Sequence, residues 1–211
     1  GIRNTIVGGL AGDALTTGSW NVAIGYEALS SEDGHGTNTA IGYAALYNQN
    51  AGAHAYNTAV GYNAGTAVST GIQNTLIGGL AGDALTTGQQ NVALGYYALS
   101  SEDGHGYNTA IGAYALFSQN AGANAYNVAV GYNAGQAVTT GIRNTLIGAD
   151  AGYALTAGGY NIAIGMGALS SENDHGRNIA IGYQALGTQD AGTDAYNVAI
   201  GYQAGLDVTT G

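Results

Sequence analysis

Three copies of an acidic loop that contains histidine are the strongest candidates for chemistry in this sequence of 211 residues. They read SSEDGHG at 30–36, SSEDGHG at 100–106 and SSENDHG at 170–176. Carboxylates and imidazoles bind calcium or transition metals, but this spacing matches neither an EF-hand loop nor a His-x-x-x-His pair. We therefore predict solvated turns with no metal and no cofactor. The weak metal candidates are Asp33, His35, Asp103, His105, Asp174 and His175.

Catalysis is not indicated by the same residues. Serine, histidine and acid are neighbours in each loop, but a catalytic triad is recognised by its geometry and not by sequence adjacency. The sequence contains no cysteine and no lysine, which excludes disulfides, thiol nucleophiles and lysine Schiff bases. We predict that the protein is not an enzyme and has no catalytic residues.

The charge balance excludes two classes of partner. Arg3, Arg143 and Arg177 are the only basic residues apart from histidine, and the formal net charge is −10. Nucleic acids and anionic lipid surfaces would be repelled. No apolar run approaches the roughly 20 residues of a membrane span, and no secretory signal opens the sequence. We expect neither nucleic-acid binding nor membrane insertion of this segment.

A recurring asparagine defines the repeat that positions these loops. Its spacings run 17, 17, 19 and 17 and then recur, which gives three super-repeats at 1–70, 71–140 and 141–210. The asparagines are Asn4, Asn21, Asn38, Asn57, Asn74, Asn91, Asn108, Asn127, Asn144, Asn161, Asn178 and Asn197. Each begins one coil, and positions in a coil are counted from it. We predict a single domain over 1–211.

The residues after each asparagine predict a short strand. Position +1 is Thr, Val or Ile, position +2 is mostly alanine, position +3 is Ile, Val or Leu, and position +4 is glycine in every coil. This pattern has a period of two, as in a strand. We expect the side chains at +1 and +3 to form the core, with alanine and glycine on the opposite face. Glycine at +4 predicts a corner.

Units of 17 to 19 residues cannot bury a core alone, so successive units must stack. We predict an all-β parallel β-solenoid (β-roll) of twelve coils, each with two short strands and two turns. At a strand spacing of about 4.8 Å, the rod is roughly 57 Å long. Copies of the acidic loop then lie about 19 Å apart, too far to share one ion.

Three columns of side chains should follow from this stacking. The asparagines are expected to form a structural ladder, with side chains hydrogen-bonded from coil to coil. Tyrosines at +5 on consecutive coils, Tyr26, Tyr43 and Tyr62, should stack. The residue before the asparagine varies freely, which suggests exposure and contact with a partner. The candidate surface contacts are Trp20, Tyr56, Tyr107, Tyr126, Tyr160 and Tyr196.

The strand motif resembles a known family. NVAIG at 21–25 and 197–201, NIAIG at 161–165 and NTAIG at 38–42 are similar to the head repeats of trimeric autotransporter adhesins. NTAIGYAAL at 38–46 also resembles repeats of phage tail-fibre-like proteins. The adhesin resemblance implies a left-handed parallel β-roll in which three chains associate.

These observations favour a structural or adhesive fibre segment. We expect an extracellular location at a cell or virion surface, self-association as a trimer or an end-to-end filament, and a glycan or cell-surface receptor as a further partner. Since neither end has a polar cap, the array is expected either to continue in a longer protein or to stack on another copy. Threonine pairs such as Thr16–Thr17 leave open an ice- or crystal-surface-binding solenoid. A solenoid that binds or cleaves polysaccharide is the other alternative.

Overall fold

A computed structural model of the protein describes residues 1–210 and shows a parallel β-solenoid of twelve coils. Each coil contributes one strand of three residues, where we had expected two strands. Turns and bends form the rest of each coil, and residues 1–210 contain no helix. The strands β1 to β12 are Thr5–Val7, Val22–Ile24, Thr39–Ile41, Thr58–Val60, Thr75–Ile77, Val92–Leu94, Thr109–Ile111, Val128–Val130, Thr145–Ile147, Ile162–Ile164, Ile179–Ile181 and Val198–Ile200.

The strands stack in sequence order and in strict register. Each of β2 to β11 pairs in parallel with the strand one coil before and one coil after it, so that Ala23 lies beside Ala40 and Ala40 beside Ala59. Backbone hydrogen bonds continue around the turns, as from Leu29 N–H to the Ala45 carbonyl at 2.9 Å. The 17- and 19-residue spacing of the asparagines therefore sets the register of the whole coil and not only that of the strand.

The prediction that the side chains at +1 and +3 face the core is wrong. The side chain at +2 faces the core, and Ala23, Ala40 and Leu76 are fully buried. The side chains at +1 and +3 point outward and are partly or fully exposed. The alanine at +7 and the side chains at +8 and +11 also point into the interior. Because this space is narrow, most strands carry alanine at +2.

Leucines and glycines complement each other inside the rod. In the fifth coil, Leu76 at +2 and Leu85 at +11 surround Gly82 at +8. A Cβ atom on Gly82 would lie 2.8 Å from Leu76 Cδ2 and 2.9 Å from Leu85 Cδ1. In the next coil Ala93 stands at +2 and Leu99 at +8, so the large side chain has changed position. This exchange keeps the core filled, as close packing requires.

The glycine at +4 forms the predicted corner. Its φ lies between 128° and 142° in all twelve coils, a backbone conformation that residues other than glycine rarely adopt. The backbones of successive coils also approach closely there, because a Cβ atom on Gly42 would lie 2.2 Å from the Gly61 carbonyl oxygen. Within residues 1–210, no helix could cross a membrane.

Candidate functional site

The outward face of the sheet is an uncharged strip that runs along all twelve coils. Positions +1 and +3 of β1 to β12 carry only Thr, Val, Ile and Leu, and we call these two columns the strand face. Some of its members are well exposed, such as Leu94 at 41% and Ile147 at 37%. Because we had placed these side chains in the core, sequence reasoning missed this surface.

A tyrosine column at +5 lies beyond the corner glycine. Tyr26, Tyr43 and Tyr62 stack with ring centroids 5.7 and 5.3 Å apart and planes 15° apart, as predicted. Tyr183 and Tyr202 stack in the same way at 5.2 Å. The first three rings remain exposed to solvent. Stacking orders the column and leaves each of these tyrosines about half exposed to a partner.

The column before the asparagines contains the predicted surface contacts. Trp20, Tyr56, Tyr126, Tyr160 and Tyr196 are exposed, and Tyr107 is half-buried against Tyr126 at 4.9 Å between ring centroids. All twelve residues of this column adopt a left-handed backbone conformation, with φ between 54° and 67°.

Arginines occupy part of the same column. Arg143 and Arg177 lie 5.3 and 5.5 Å from the centre of the Tyr160 ring, and Arg177 also contacts Tyr196. Arg3 lies 5.6 Å from the centre of the Trp20 ring. These cation–π contacts order several of the exposed aromatic side chains.

The asparagine ladder joins side chain to backbone and not side chain to side chain as we had expected. Each Oδ1 accepts a hydrogen bond from the backbone N–H of the asparagine in the next coil, at 2.8 to 3.1 Å over eleven consecutive steps. Most Nδ2 groups donate to a carbonyl at +14, as from Asn74 to Gly88 at 2.8 Å. Each buried asparagine thus connects neighbouring coils, and most of them also hold the turn that follows.

The threonine pairs also connect coils. Thr16 Oγ1 donates to the Asp33 carbonyl, Thr86 Oγ1 to the Asp103 carbonyl, and Thr139 Oγ1 to the Thr156 carbonyl, at 2.8 to 3.2 Å. These hydroxyl groups therefore have partners in the next coil.

The acidic loops are only partly solvated, contrary to expectation. Their Asp33, Asp103 and Asp174 are exposed, but their glutamates are fully buried at position +11. Sequence reasoning could have found this, since other coils carry leucine or valine at +11. The buried polar side chains at this position are Glu32, Gln49, Glu102, Gln119, Glu172 and Gln189.

Each buried glutamate lies beside the histidine of its own loop. Glu102 Oε1 accepts a hydrogen bond from the His105 backbone N–H at 3.1 Å and lies 3.4 Å from His105 Nδ1. In the first loop the corresponding distances for Glu32 and His35 are 3.0 and 4.0 Å. Burial raises the pKa of both carboxyl groups above the ordinary value, and the histidine N–H only partly opposes this shift.

Two of the three loops bring the weak metal candidates together. In the loops of Glu32, Asp33 and His35 and of Glu102, Asp103 and His105, one donor atom from each residue lies within 4.8 Å of the others. The third loop differs, because Asn173 stands where the other two loops have their aspartate, and its own Asp174 accepts a hydrogen bond from Thr156.

The third loop supplies a test of the buried carboxylates. Glu172 Oε2 accepts from Gln189 Nε2 at 3.2 Å, whereas Glu172 Oε1 is buried without a hydrogen-bond partner within residues 1–210. We expect Glu172→Gln to raise the free energy of unfolding at pH 7 by about 1 kcal/mol, because a neutral amide costs less to bury. Urea unfolding followed by circular dichroism measures the change.

The reciprocal variant should act in the opposite direction. Gln189→Glu would place a second carboxylate beside Glu172 and remove the Gln189 N–H donor. We expect a loss of about 2 kcal/mol. If both variants changed stability in the same direction, burial of charge would not be the deciding factor.

Comparisons with protein-family models, curated proteins and solved structures gave no match for this chain.

Proposed function

We propose that this protein is a non-enzymatic structural segment of an extracellular fibre, in which copies of the chain associate along their strand faces. The observation that carries this proposal is the uncharged strand face that continues over all twelve coils. The face measures roughly 57 by 7 Å, or about 400 Å² at ordinary strand dimensions. Exposed apolar patches of that size are often functional.

A second copy of the chain suits this face better than a charged partner. The molecule has a net charge of −10, yet none of its acidic or basic side chains lies in the two columns of the strand face. Two strand faces can therefore meet without placing like charges in contact. Sheets that pack face to face bury such columns at a separation of about 10 Å. The resemblance to adhesin heads, in which three chains associate, supports self-association of the chain.

The aromatic columns suit the adhesive part of the proposal. The Tyr26, Tyr43 and Tyr62 rings and the side chains before the asparagines lie outside the strand face, and most of them are exposed. Tyrosine and tryptophan are enriched at recognition surfaces because they combine a large apolar area with a polar atom. We propose that these columns contact a glycan or a cell-surface receptor.

A charge placed on the strand face tests self-association. We expect the protein to form oligomers or filaments as its concentration rises and Ile147→Asp to shift it towards the monomer, because the carboxylate would be desolvated at the contact. Sedimentation velocity over a range of concentrations measures the shift. Ala157→Asp is the matched control, because Ala157 is exposed on a turn of the same coil and lies outside the face.

Circular dichroism must show that both variants are folded. A wild-type protein that stays monomeric at all concentrations would contradict the proposal. Equal effects of Ile147→Asp and Ala157→Asp would show that association does not use the strand face.

A further inference from the structure

We propose that the first two acidic loops each bind one divalent transition-metal ion. The ligands are Glu32, Asp33 and His35 at one site and Glu102, Asp103 and His105 at the other. In each loop, one donor atom of every residue lies within 4.8 Å of the other two.

The donor set indicates the class of ion. One imidazole nitrogen and two carboxylate oxygens suit zinc and similar divalent ions, whereas magnesium and calcium prefer oxygen donors alone. Zinc commonly combines three protein ligands with water at a fourth position. Ligands at about 2.1 Å from a zinc ion lie roughly 3.4 Å apart in a tetrahedron. Asp103 is exposed, so a change of its rotamer can close the remaining distance.

Unsatisfied buried groups provide independent support for a ligand. Glu102 has no exposed surface, and its Oε2 atom has no hydrogen-bond partner within residues 1–210. The Nδ1 atoms of His35, His105 and His175 are also buried and lack hydrogen-bond partners in the same part of the chain. The third loop shares this feature with the other two and differs from them in its aspartate. Since His105 Nδ1 lies 3.4 Å from Glu102 Oε1, a cation at this point would contact both groups and offset the cost of burying the carboxylate.

The third loop provides an internal control. It retains Glu172 and His175, but Asn173 replaces the aspartate of the other two loops, and Thr156 donates a hydrogen bond to Asp174. Residues 172–175 therefore do not supply the same three donors. The geometry predicts two metal sites per chain and not three.

Titration with zinc chloride tests this stoichiometry. Isothermal titration calorimetry on the full chain should show two ions bound per chain, and Asp103→Asn should reduce the number to one. Asp174→Asn should leave it at two, because the third loop takes no part. Asp103 and Asp174 are both exposed, so both variants are expected to fold, and circular dichroism checks this.

Several results would overturn the proposal. These are an absence of saturable binding, a stoichiometry of three, or an unchanged stoichiometry in Asp103→Asn. Self-association through the strand face is measured separately, so failure of one proposal leaves the other standing.

Discussion

Replacement of Gly42 by alanine is expected to lower the free energy of unfolding by at least about 3 kcal/mol. Gly42 has a φ of 135°, a backbone conformation that residues other than glycine rarely adopt. An added Cβ atom would also lie 2.2 Å from the Gly61 carbonyl oxygen in the next coil, and that atom belongs to the backbone. Relief of the clash requires the two coils to separate locally, which would weaken the hydrogen bonds between them.

Gly34→Ala is the control for this prediction. Gly34 lies on the preceding turn with ordinary φ, and its added Cβ atom would meet only Thr17 Oγ1, at 3.6 Å. We expect a change within about 0.5 kcal/mol. Urea unfolding of both variants measures the difference. A similar, small effect of the two substitutions would mean that the coils do not approach each other at the +4 glycine.

Replacement of Asn127 by alanine is expected to cost about 4 kcal/mol, because it leaves several buried groups without partners. Asn127 Oδ1 accepts from the Asn144 N–H at 2.8 Å. Its Nδ2 group donates to Gln119 Oε1 at 2.6 Å and to the Gly141 carbonyl at 2.8 Å. Loss of this side chain therefore affects both the neighbouring coil and the following turn.

Hydrogen exchange should localise the damage from Asn127→Ala. The Asn144 amide is expected to lose protection more than amides several coils away, since each coil contacts only its neighbours. Asn120→Ala is the control, because Asn120 is exposed on a turn of the coil that precedes Asn127. Its backbone N–H donates to the Thr139 carbonyl, and this bond does not depend on the side chain. Equal stabilities of Asn127→Ala and Asn120→Ala would contradict a structural role for the ladder.

The repeat made the architecture predictable. Asparagine at position 0 and glycine at +4 fixed the location of every strand, and their spacing fixed the parallel register of all twelve coils. The stacking of Tyr26, Tyr43 and Tyr62 followed from the same register. These features depend on backbone geometry and hydrogen bonding. Both recur in every coil, so a residue repeated in every coil indicates them directly.

The orientation of the strand could not be obtained from hydrophobicity alone. Ile24 is more apolar than Ala23, so the usual preference places Ile24 inside. The structure reverses this, because position +2 shares a narrow interior with +7, +8 and +11. The sequence does contain a signal that +2 faces inward. Leu76 replaces alanine at +2 in the coil where Gly82, at +8, leaves space for a larger side chain. Its interpretation requires knowing which positions meet across the coil.

The buried glutamates show a second limit of prediction from the sequence. Glu102 lies in a run of polar residues, which predicts a solvated loop. Its position at +11, where Leu85 lies in the preceding coil, predicts the core instead. A comparison of equivalent positions between coils would have indicated burial, whereas composition within a single loop did not. The contact between Glu102 and His105 then depends on the shape of the turn.

Labelling of a cysteine on the strand face tests the central claim most directly. The protein contains no native cysteine, so Ile147→Cys places a single thiol on this face and Leu146→Cys places one in the core. We predict that a maleimide reacts rapidly with Ile147→Cys in dilute solution and more slowly as the protein concentration rises and the faces associate. Leu146→Cys should stay protected throughout. A thiol at 147 that is protected even in dilute, monomeric protein, or that reacts at the same rate at every concentration, would contradict an outward face used for self-association.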